Sequence, residues 1–285
     1  MEYLGESKEI NQIEPVVSVC VPTFEHAPYI SECLTSILSQ KTNFPYEILV
    51  GEDGSTDGTR EICKAFAKEN QDKIRLFLRD PNEKMVRNGK KVGRKNHLEL
   101  YKSARGKFVC ICDGDDYWLN ENKLQIQVDY FINYPESSMC IGRTVVENNE
   151  PTLQVDWPEK VKLLGSKELK LTYYIGHVSS WMLRNHMEEF VNNKAAILCP
   201  GLDLVIFSFY KGKGRIIQCP EIFSFYRFNP KGSLRKLSAR EKRKKLWQVN
   251  WYLYRYVHRS KFVFIRSVFY FTRRNFINML KKSQK

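Results

Sequence analysis

The sequence predicts an α/β fold built on a mostly parallel sheet, followed by a basic helical tail. Short apolar runs alternate with segments of helical periodicity over residues 16–131, which is the pattern of successive βαβ units. Acidic turn segments follow two of these runs, at 52–57 and 113–116. Residues 234–285 differ sharply in charge from the rest of the chain. These observations predict one main domain and a separate basic segment.

Four apolar runs are predicted as buried strands, because each is short and rich in Val, Ile, Leu and Phe. They are Val16–Val21, Tyr46–Val50, Ile74–Leu78 and Phe108–Cys112. Helical patterns follow them, with apolar residues at Ile30, Leu34, Ile37 and Leu38, then at Ile62, Ala65 and Phe66, then over about 93–103, then at Leu124, Val128 and Phe131. A polar, basic loop is predicted over 80–91.

The alternation weakens after Glu147. A loop is predicted over 148–158 and another strand over 177–183. Gly201-Leu202-Asp203 opens an apolar helix at 204–210, and a short strand follows at 215–218.

The eight cysteines include no C-x-x-C pair, and several lie within apolar runs. This usage indicates reduced, buried thiols and a cytosolic protein rather than a disulfide framework. The first 14 residues are polar and lack the apolar core of a signal peptide. No stretch reaches the roughly 18 apolar residues that span a bilayer.

The net charge of +14 belongs almost entirely to the end of the chain. Residues 234–285 carry 16 Lys and Arg against one acid, Glu241, which gives +15 and leaves the rest at −1. Aromatic residues are interleaved with these charges, and Trp247, Trp251 and Tyr254 share a helical face. This pattern favours an interfacial helix on an anionic membrane. Alternatives are a helical pair whose aromatics pack on the body, and a nucleic-acid surface, which no nucleic-acid fold motif accompanies.

Asp113-Gly114-Asp115-Asp116 comes directly after the fourth predicted strand. Three acids at one strand end repel one another, and a divalent cation such as Mg²⁺ or Mn²⁺ relieves that repulsion while leaving positions open for a substrate phosphate. The alternative is an acidic turn that caps the next helix. Ligands bind at the carboxyl ends of parallel strands, and the segment at 52–57 lies at that same edge. Neither G-x-G-x-x-G nor a P-loop motif occurs.

The ordered set of motifs over about 16–233 resembles the family 2 glycosyltransferases, with the nucleotide-sugar-binding GT-A fold, and is most similar to the bacterial capsular and cell-surface polysaccharide branch. The motifs are Val21-Pro22-Thr23-Phe24, Glu52 to Asp57, Lys95-Asn96, Gly106-Lys107-Phe108, Asp113 to Trp118, and Lys123 to Gln127. Each motif is weak alone, whereas their order and spacing are specific.

The resemblance implies a donor site for a nucleotide sugar, most often a UDP-sugar. It implies that Pro22, Thr23 and Phe24 lie against the base and ribose, that Asp53 accepts a hydrogen bond from the base, and that Asp113 lies near the ribose. It also implies that Asp115, with Asp113, ligates Mn²⁺ or Mg²⁺ at the diphosphate. The basic and amide residues Arg94, Asn96 and Arg227 complete the expected donor site.

The resemblance places the base of inverting members at Asp203, which deprotonates the acceptor hydroxyl. Asp203 could instead serve only as the N-cap of the helix that follows. The chain departs from the family pattern at Glu52, where Asp is commoner, at Leu202, where Gly or Glu usually precedes the base, and at Asn229, which is often His.

We therefore expect an inverting, metal-dependent glycosyltransferase of cell-surface polysaccharide synthesis that acts on a glycan or polyprenyl-linked saccharide. Its expected divisions are an extension at 1–14, the GT-A domain at 15–233 and the basic tail at 234–285. We expect a cytoplasmic location, peripheral on the inner face of the cell membrane, and no nucleic acid partner. Alternatives are a nucleotidyltransferase of the same fold class, whose Gly-rich loop is missing from residues 22–26, and a non-catalytic basic membrane-binding module.

Overall fold

The computed structural model of the chain describes residues 2–3, 9–87, 89–147, 157–172, 174–227, 238–258 and 265. The strands are β1 Glu2–Tyr3, β2 Val17–Thr23, β3 Tyr46–Glu52, β4 Ile74–Leu78, β5 Met85–Arg87, β6 Lys90–Val92, β7 Phe108–Ile111, β8 Tyr117–Trp118, β9 Ser137–Val146, β10 Lys162–Leu164, β11 Trp181–Arg184 and β12 Arg215–Tyr226. The helices are α1 Ile30–Leu38, α2 Thr59–Glu69, α3 Arg94–Ser103, α4 Lys123–Asn133, α5 Ser166–Leu171, α6 Met187–Val191, α7 Lys194–Leu198, α8 Leu202–Tyr210 and α9 Ala239–Leu253.

Ten of the described strands form one sheet in the order β1-β4-β3-β2-β7-β11-β9-β12-β10, with β8 beside β12. The four strands predicted first, β2, β3, β4 and β7, are mutually parallel, so their carboxyl ends share one edge. Beyond β7 the sheet is mixed, because β11 runs antiparallel to both β7 and β9. The predicted α/β fold class is confirmed, and the parallel part of the sheet is its first half.

Helices cover both faces of the sheet, which explains why the parallel strands are mostly apolar. Val19 and Val21 of β2 pack with α1, α2 and α4, whereas Cys20 between them packs on the opposite face with α3 and α8. Adjacent residues of a strand point to opposite faces, so a strand between two helical layers buries both of its faces. All eight cysteines are buried free thiols, as predicted.

Several predicted elements differ from the observed ones. The loop predicted over 80–91 contains the β5–β6 hairpin. Within the strand predicted over 177–183, Val178–Ser180 forms a single helical turn, and β11 begins at Trp181. The strand predicted over 215–218 continues to Tyr226, past an irregularity between Gln218 and Ile222. β9 was not predicted.

The described part of the basic tail is the helix α9 and the turn after it. Val249 and Leu253 of α9 are buried in the same apolar cluster as α8, so this half of the tail packs on the body. In the part of the chain that the structure describes, no helix combines the length and apolar character needed to cross a bilayer. The predicted boundary at 233/234 and the end of the tail, apart from Ile265, lie outside the described residues.

Candidate active site

A cavity of about 630 Å³ opens at the carboxyl end of β7. Its polar lining comes from elements that are far apart in the sequence. These residues are His97, Asp113, Asp115, Tyr174, His177, Asp203, Tyr226, Lys242 and Lys245. Asp113 and Asp115 therefore share one cavity with Asp203, the predicted general base.

Backbone hydrogen bonds shape the acidic turn after β7. Gly114 N–H donates to the Pro22 carbonyl over 3.0 Å, and Asp116 N–H donates to the Asp113 carbonyl over 2.9 Å. A Cβ on Gly114 would lie 2.6 Å from Thr23 Oγ1 and 2.9 Å from His26 Nδ1. Only glycine lets the turn pack this closely on the end of β2. Asp113 and Asp115 then line the cavity, whereas Asp116 is buried behind them.

The carboxylates of Asp113 and Asp115 act on each other, and each has an imidazole nearby. Burial raises the pKa of Asp113 to about 7, and the negative charges of Asp115 and Asp203 add to this effect. His26 Nε2 lies 3.6 Å from Asp115, but burial lowers the pKa of His26, which favours the neutral imidazole. Burial likewise lowers the pKa of His97, whose Nε2 is 3.9 Å from Asp113, to about 4.

This donor set fits a hard divalent cation that a substrate completes. No cluster of three His, Cys, Asp or Glu side chains able to hold a metal by itself occurs among the described residues. Mg²⁺ characteristically uses one or two carboxylates and takes its other ligands from water and substrate phosphates. Asp113 and Asp115 supply two such carboxylates, and their mutual repulsion falls when a cation is present.

Asp116 and Arg227 connect the acidic turn to the end of β12. Arg227 donates its backbone N–H to Asp116 Oδ1 and its Nη1 to the Asp115 carbonyl, both over 3.1 Å, and its Nη2 pairs with Glu32. The guanidinium also lies over the rings of Tyr29 and Tyr117. Arg227 therefore ties the end of β12 to the acidic turn.

The residues predicted to contact the nucleotide base cluster where β2 and β3 end. Asp53 N–H donates to the Thr23 carbonyl over 3.0 Å, which places Phe24 and Asp53 on adjacent strand ends. Lys84, which sequence reasoning missed, lies between them: its Nζ is 3.3 Å from Asp53 Oδ2 and 3.3 Å from the Phe24 ring centre. Burial raises the pKa of Asp53, and the Lys84 ammonium opposes that rise.

The other acids of the second segment support the turn. Glu52 is fully buried, accepts the Ser55 N–H over 2.6 Å and pairs with Arg60. Asp57 accepts the Ala27 N–H over 3.0 Å and the Thr59 N–H over 3.1 Å. Asp57 is thus a turn residue, as predicted, and Glu52 is a structural acid.

Arg94 and Asn96 are directed to the protein interior. Arg94 Nη2 donates to the Cys199 carbonyl over 2.6 Å. Asn96 donates to the Gly51 carbonyl over 2.7 Å and accepts from Arg79 Nε over 3.2 Å. Neither side chain lines the cavity, so their predicted donor contacts gain no support from the described geometry.

Asp203 is the second residue of α8, and Gly201 occupies the N-cap position. The alternative that Asp203 serves only as the N-cap is therefore wrong. Burial raises the pKa of Asp203, whereas hydrogen bonds from the Leu204 N–H and the Tyr174 hydroxyl and the charge of Lys245 lower it. A carboxylate that lines a cavity in this setting can accept a proton from a bound hydroxyl.

The lysines of α9 were not predicted to take part in the site. Lys242 and Lys245 line the cavity, whereas Trp247 and Trp251 of the same helix are 53% and 48% exposed. The sequence shows that the tail is basic but does not show which of its lysines face the body. The division of α9 into a cavity-lining face and an exposed face was therefore not predictable. Trp118 and Trp181 are buried in the core.

Comparison with known proteins identifies relatives of this architecture. A family model described as glycosyl transferase family 2 matches residues 18–191. An uncharacterized protein of Mycobacterium tuberculosis is 32% identical over 124 residues, which is 44% of this chain and 34% of that protein. A putative teichuronic acid biosynthesis glycosyltransferase, TuaG of Bacillus subtilis, is 31% identical over 119 residues, covering 42% of this chain and 43% of that protein. The match thus spans about a third to under a half of these curated relatives.

Solved structures share the fold at low sequence identity. TarS of S. aureus in complex with UDP superposes with a TM-score of 0.61 at 19% identity, over 84% of this chain and 66% of that one. The mannosyltransferase PcManGT of Pyrobaculum calidifontis, in complex with GDP-Man and Mn²⁺, gives a TM-score of 0.53 at 19% identity, over 87% of this chain and 64% of that one. With the family model matching more than half of its residues, the chain belongs to glycosyltransferase family 2.

Proposed function

We propose that the chain is an inverting glycosyltransferase that moves a sugar from a UDP-sugar, with Mn²⁺ or Mg²⁺, to a hydroxyl of a glycan or polyprenyl-linked saccharide in cell-surface polysaccharide synthesis. The observation that carries this proposal is the single cavity lined by Asp113, Asp115 and Asp203. Family membership supports it. Similar proteins also support it: one is named as a putative teichuronic acid biosynthesis glycosyltransferase, and others have been solved with UDP, with UDP-GlcNAc or with GDP-Man and Mn²⁺.

On the donor side of the proposed reaction, residues at the ends of several strands have different roles. Phe24 offers a ring face to the base, and Asp53 accepts an N–H from the base once the Lys84 ammonium has moved aside. Asp113 and Asp115 would hold the cation at the diphosphate. The cation would supply Lewis-acid stabilisation of the negative charge that grows on the leaving diphosphate.

The acceptor half assigns Asp203 as the general base. Its carboxylate takes the proton of the attacking hydroxyl while the anomeric carbon exchanges its bond to the diphosphate oxygen for a bond to the acceptor oxygen. Two separated acids suit a single displacement, because one carboxylate cannot ligate a cation and also accept this proton. Attack from the face opposite the leaving group inverts the anomeric centre.

A donor screen tests the reaction type. The full chain is incubated with UDP- and GDP-sugars with Mn²⁺ or with EDTA, and release of nucleoside diphosphate is measured. We expect Mn²⁺-dependent release from a UDP-sugar, lost in Asp115→Asn and retained in the exposed control Asp129→Asn. Release that is equal in EDTA, or absent with every donor, would contradict the proposal.

We further propose that the chain works at the cytoplasmic face of the membrane through residues 234–285. The support is the face of α9 that turns away from the buried Val249 and Leu253, where Trp247 and Trp251 are exposed beside the exposed Arg243. Such helices bind anionic interfaces through aromatic burial and basic charge.

Because α9 packs on the body, point variants test membrane binding better than truncation. We expect Trp247→Ser/Trp251→Ser to sediment far less with phosphatidylglycerol vesicles than the parent chain does. Substitution of the exposed Ile132 on α4 by Ser provides the matched control. Equal sedimentation of the double variant and the parent would refute the membrane assignment.

A further inference from the structure

Two lysines of α9 face the same cavity as Asp203. Lys242 and Lys245 are one helical turn apart and both line the cavity wall. Residues three apart share a helix face, so both lysines lie on the face of α9 that lines the cavity. The side chain of Lys245 is partly buried, whereas that of Lys242 is exposed at the cavity mouth.

The helix that carries the lysines is held firmly on the body. Val249 and Leu253 are buried beside α8, and Ser238 caps the first turn with a reciprocal hydrogen bond to Glu241. Asn193 Nδ2 also donates to the Tyr256 carbonyl over 3.2 Å just beyond the helix. The lysines are therefore part of the cavity wall rather than of a loose tail.

Positive charge exceeds negative charge at this end of the cavity. Among the described residues, no carboxylate lies within 4.0 Å of either lysine ammonium, and Asp203 is the acid whose charge acts on Lys245. The positive charges of Arg87 and Arg94, which do not line the cavity, also act on Lys245. Lys245 alone suffices as a counter-charge for Asp203. That role does not explain why a second lysine, Lys242, also lines the cavity.

We propose that Lys242 and Lys245 form a subsite for a phosphate or diphosphate group of the acceptor. This inference rests on the proposed function, which assigns the donor diphosphate to Asp113 and Asp115 at the other wall. Two neighbouring ammonium groups suit a dianion, since charge-assisted hydrogen bonds to phosphate oxygens are strong. The phosphate then orients the acceptor so that its hydroxyl reaches Asp203.

Calorimetric titration of the full chain with inorganic pyrophosphate in EDTA at fixed ionic strength tests the subsite. Omission of metal and nucleotide leaves the carboxylate wall repulsive to anions, so binding reports the α9 wall. We expect Lys242→Met/Lys245→Met to weaken binding at least tenfold and Lys242→Met alone to weaken it measurably. The control Lys244→Met, an exposed lysine outside the cavity lining, should stay within twofold.

The same variants distinguish two sources of the phosphate. Lysine-dependent binding to neutral phosphatidylcholine vesicles that contain a polyprenyl phosphate would assign it to a lipid carrier. Lysine-dependent binding of a soluble glycerol phosphate oligomer would assign it to a phosphate-containing polymer. Pyrophosphate binding that is absent in the parent chain, or unchanged in a double variant whose thermal unfolding matches the parent, would overturn the subsite.

The two proposals fail separately. Lysine-dependent pyrophosphate binding by a chain that releases no nucleoside diphosphate from any donor would refute the transferase and leave the anion subsite in place. Donor turnover by a chain whose pyrophosphate binding ignores the lysines would refute the subsite alone.

Discussion

Asp203→Asn is the substitution that isolates the proposed general base. In the folded chain, the Asp203 carboxylate accepts hydrogen bonds from the Tyr174 hydroxyl and the Leu204 N–H. Asparagine keeps an acceptor oxygen of the same shape but cannot take a proton from the acceptor. General-base assistance contributes typically about 10²–10⁴-fold, or roughly 3–5 kcal/mol of barrier, so the turnover number should fall by that factor.

The effect on folding should be small by comparison. A carboxylate in the first turn of a helix contributes about 0.3–1 kcal/mol through the helix dipole, and the loss of this term is offset because burial of the Asp203 charge is itself unfavourable. Thermal unfolding of Asp203→Asn should thus lie close to that of the parent chain, and UDP affinity with Mn²⁺ should be unchanged.

The assay follows release of UDP and free or transferred sugar from the donor identified by the screen. Asp129→Asn on α4, an exposed carboxylate outside the cavity lining, provides the matched control and should turn over at the parent rate. If Asp203→Asn also turned over at the parent rate, the base would be another group and the division of roles between the two cavity walls would be wrong.

Three further outcomes follow from charges and close contacts. Turnover should fall as the pH drops through the raised pKa of Asp203, and Lys245→Met should move this acidic limb to higher pH, because the lysine charge lowers that pKa. Lys84→Met should destabilise the fold by about 1–3 kcal/mol at neutral pH, since it leaves the Asp53 carboxylate buried without its cation, and by less at acidic pH, where Asp53 is protonated. Gly106→Ala should cost roughly 1–3 kcal/mol in urea unfolding, because its Cβ would lie 2.6 Å from the Ser18 backbone nitrogen.

Each of these outcomes has a matched control. Lys244→Met should leave the pH profile in place, and Lys41→Met, which removes an exposed ion pair with Glu121, should change stability by less than about 1 kcal/mol. Gly165→Ala meets nothing closer than a flexible Glu168 oxygen at 3.3 Å, so its cost should be well below that of Gly106→Ala. If Lys245→Met left the acidic limb of the pH profile in place, the argument about Asp203 would be wrong. A pH-independent effect of Lys84→Met would contradict the argument about Asp53. Equal costs of Gly106→Ala and Gly165→Ala would contradict the packing argument.

The first half of the sheet was predictable from sequence because its strands are buried on both faces. Val17–Thr23 and Tyr46–Glu52 are buried at every position and read as short, mostly apolar runs between turns and helices. The strand Ser137–Val146 was missed because it begins with two serines and contains Gly142, which gives it neither alternation nor an apolar run. Gly142 is required there by packing, since a Cβ would lie 2.1 Å from the Phe223 ring.

The full length of β12 was also not predictable from the sequence. Pro220 interrupts the run after Gln218 and reads as a strand end, yet it falls in the irregularity between Gln218 and Ile222, where no ladder hydrogen bond is required of it. Local sequence cannot show that a strand resumes after such a break.

Within the site, motifs identified the acids but not the basic residues. Asp113, Asp115 and Asp203 follow element boundaries that sequence periodicity marks. Arg94 was expected at the donor because a guanidinium can pair with a diphosphate, but its partner is a carbonyl 105 residues away, at Cys199. Lys84 and Lys245 reach the site through long-range packing that has no local signal.

The central claim is that Asp113 and Asp115 hold the cation that binds the donor diphosphate. Calorimetric titration of the full chain with UDP, in MnCl₂ and in EDTA, tests it most directly. We predict that removal of the metal weakens UDP binding at least tenfold and that Asp115→Asn abolishes this metal dependence. UDP affinity that is equal with and without Mn²⁺ in the parent chain would contradict the account.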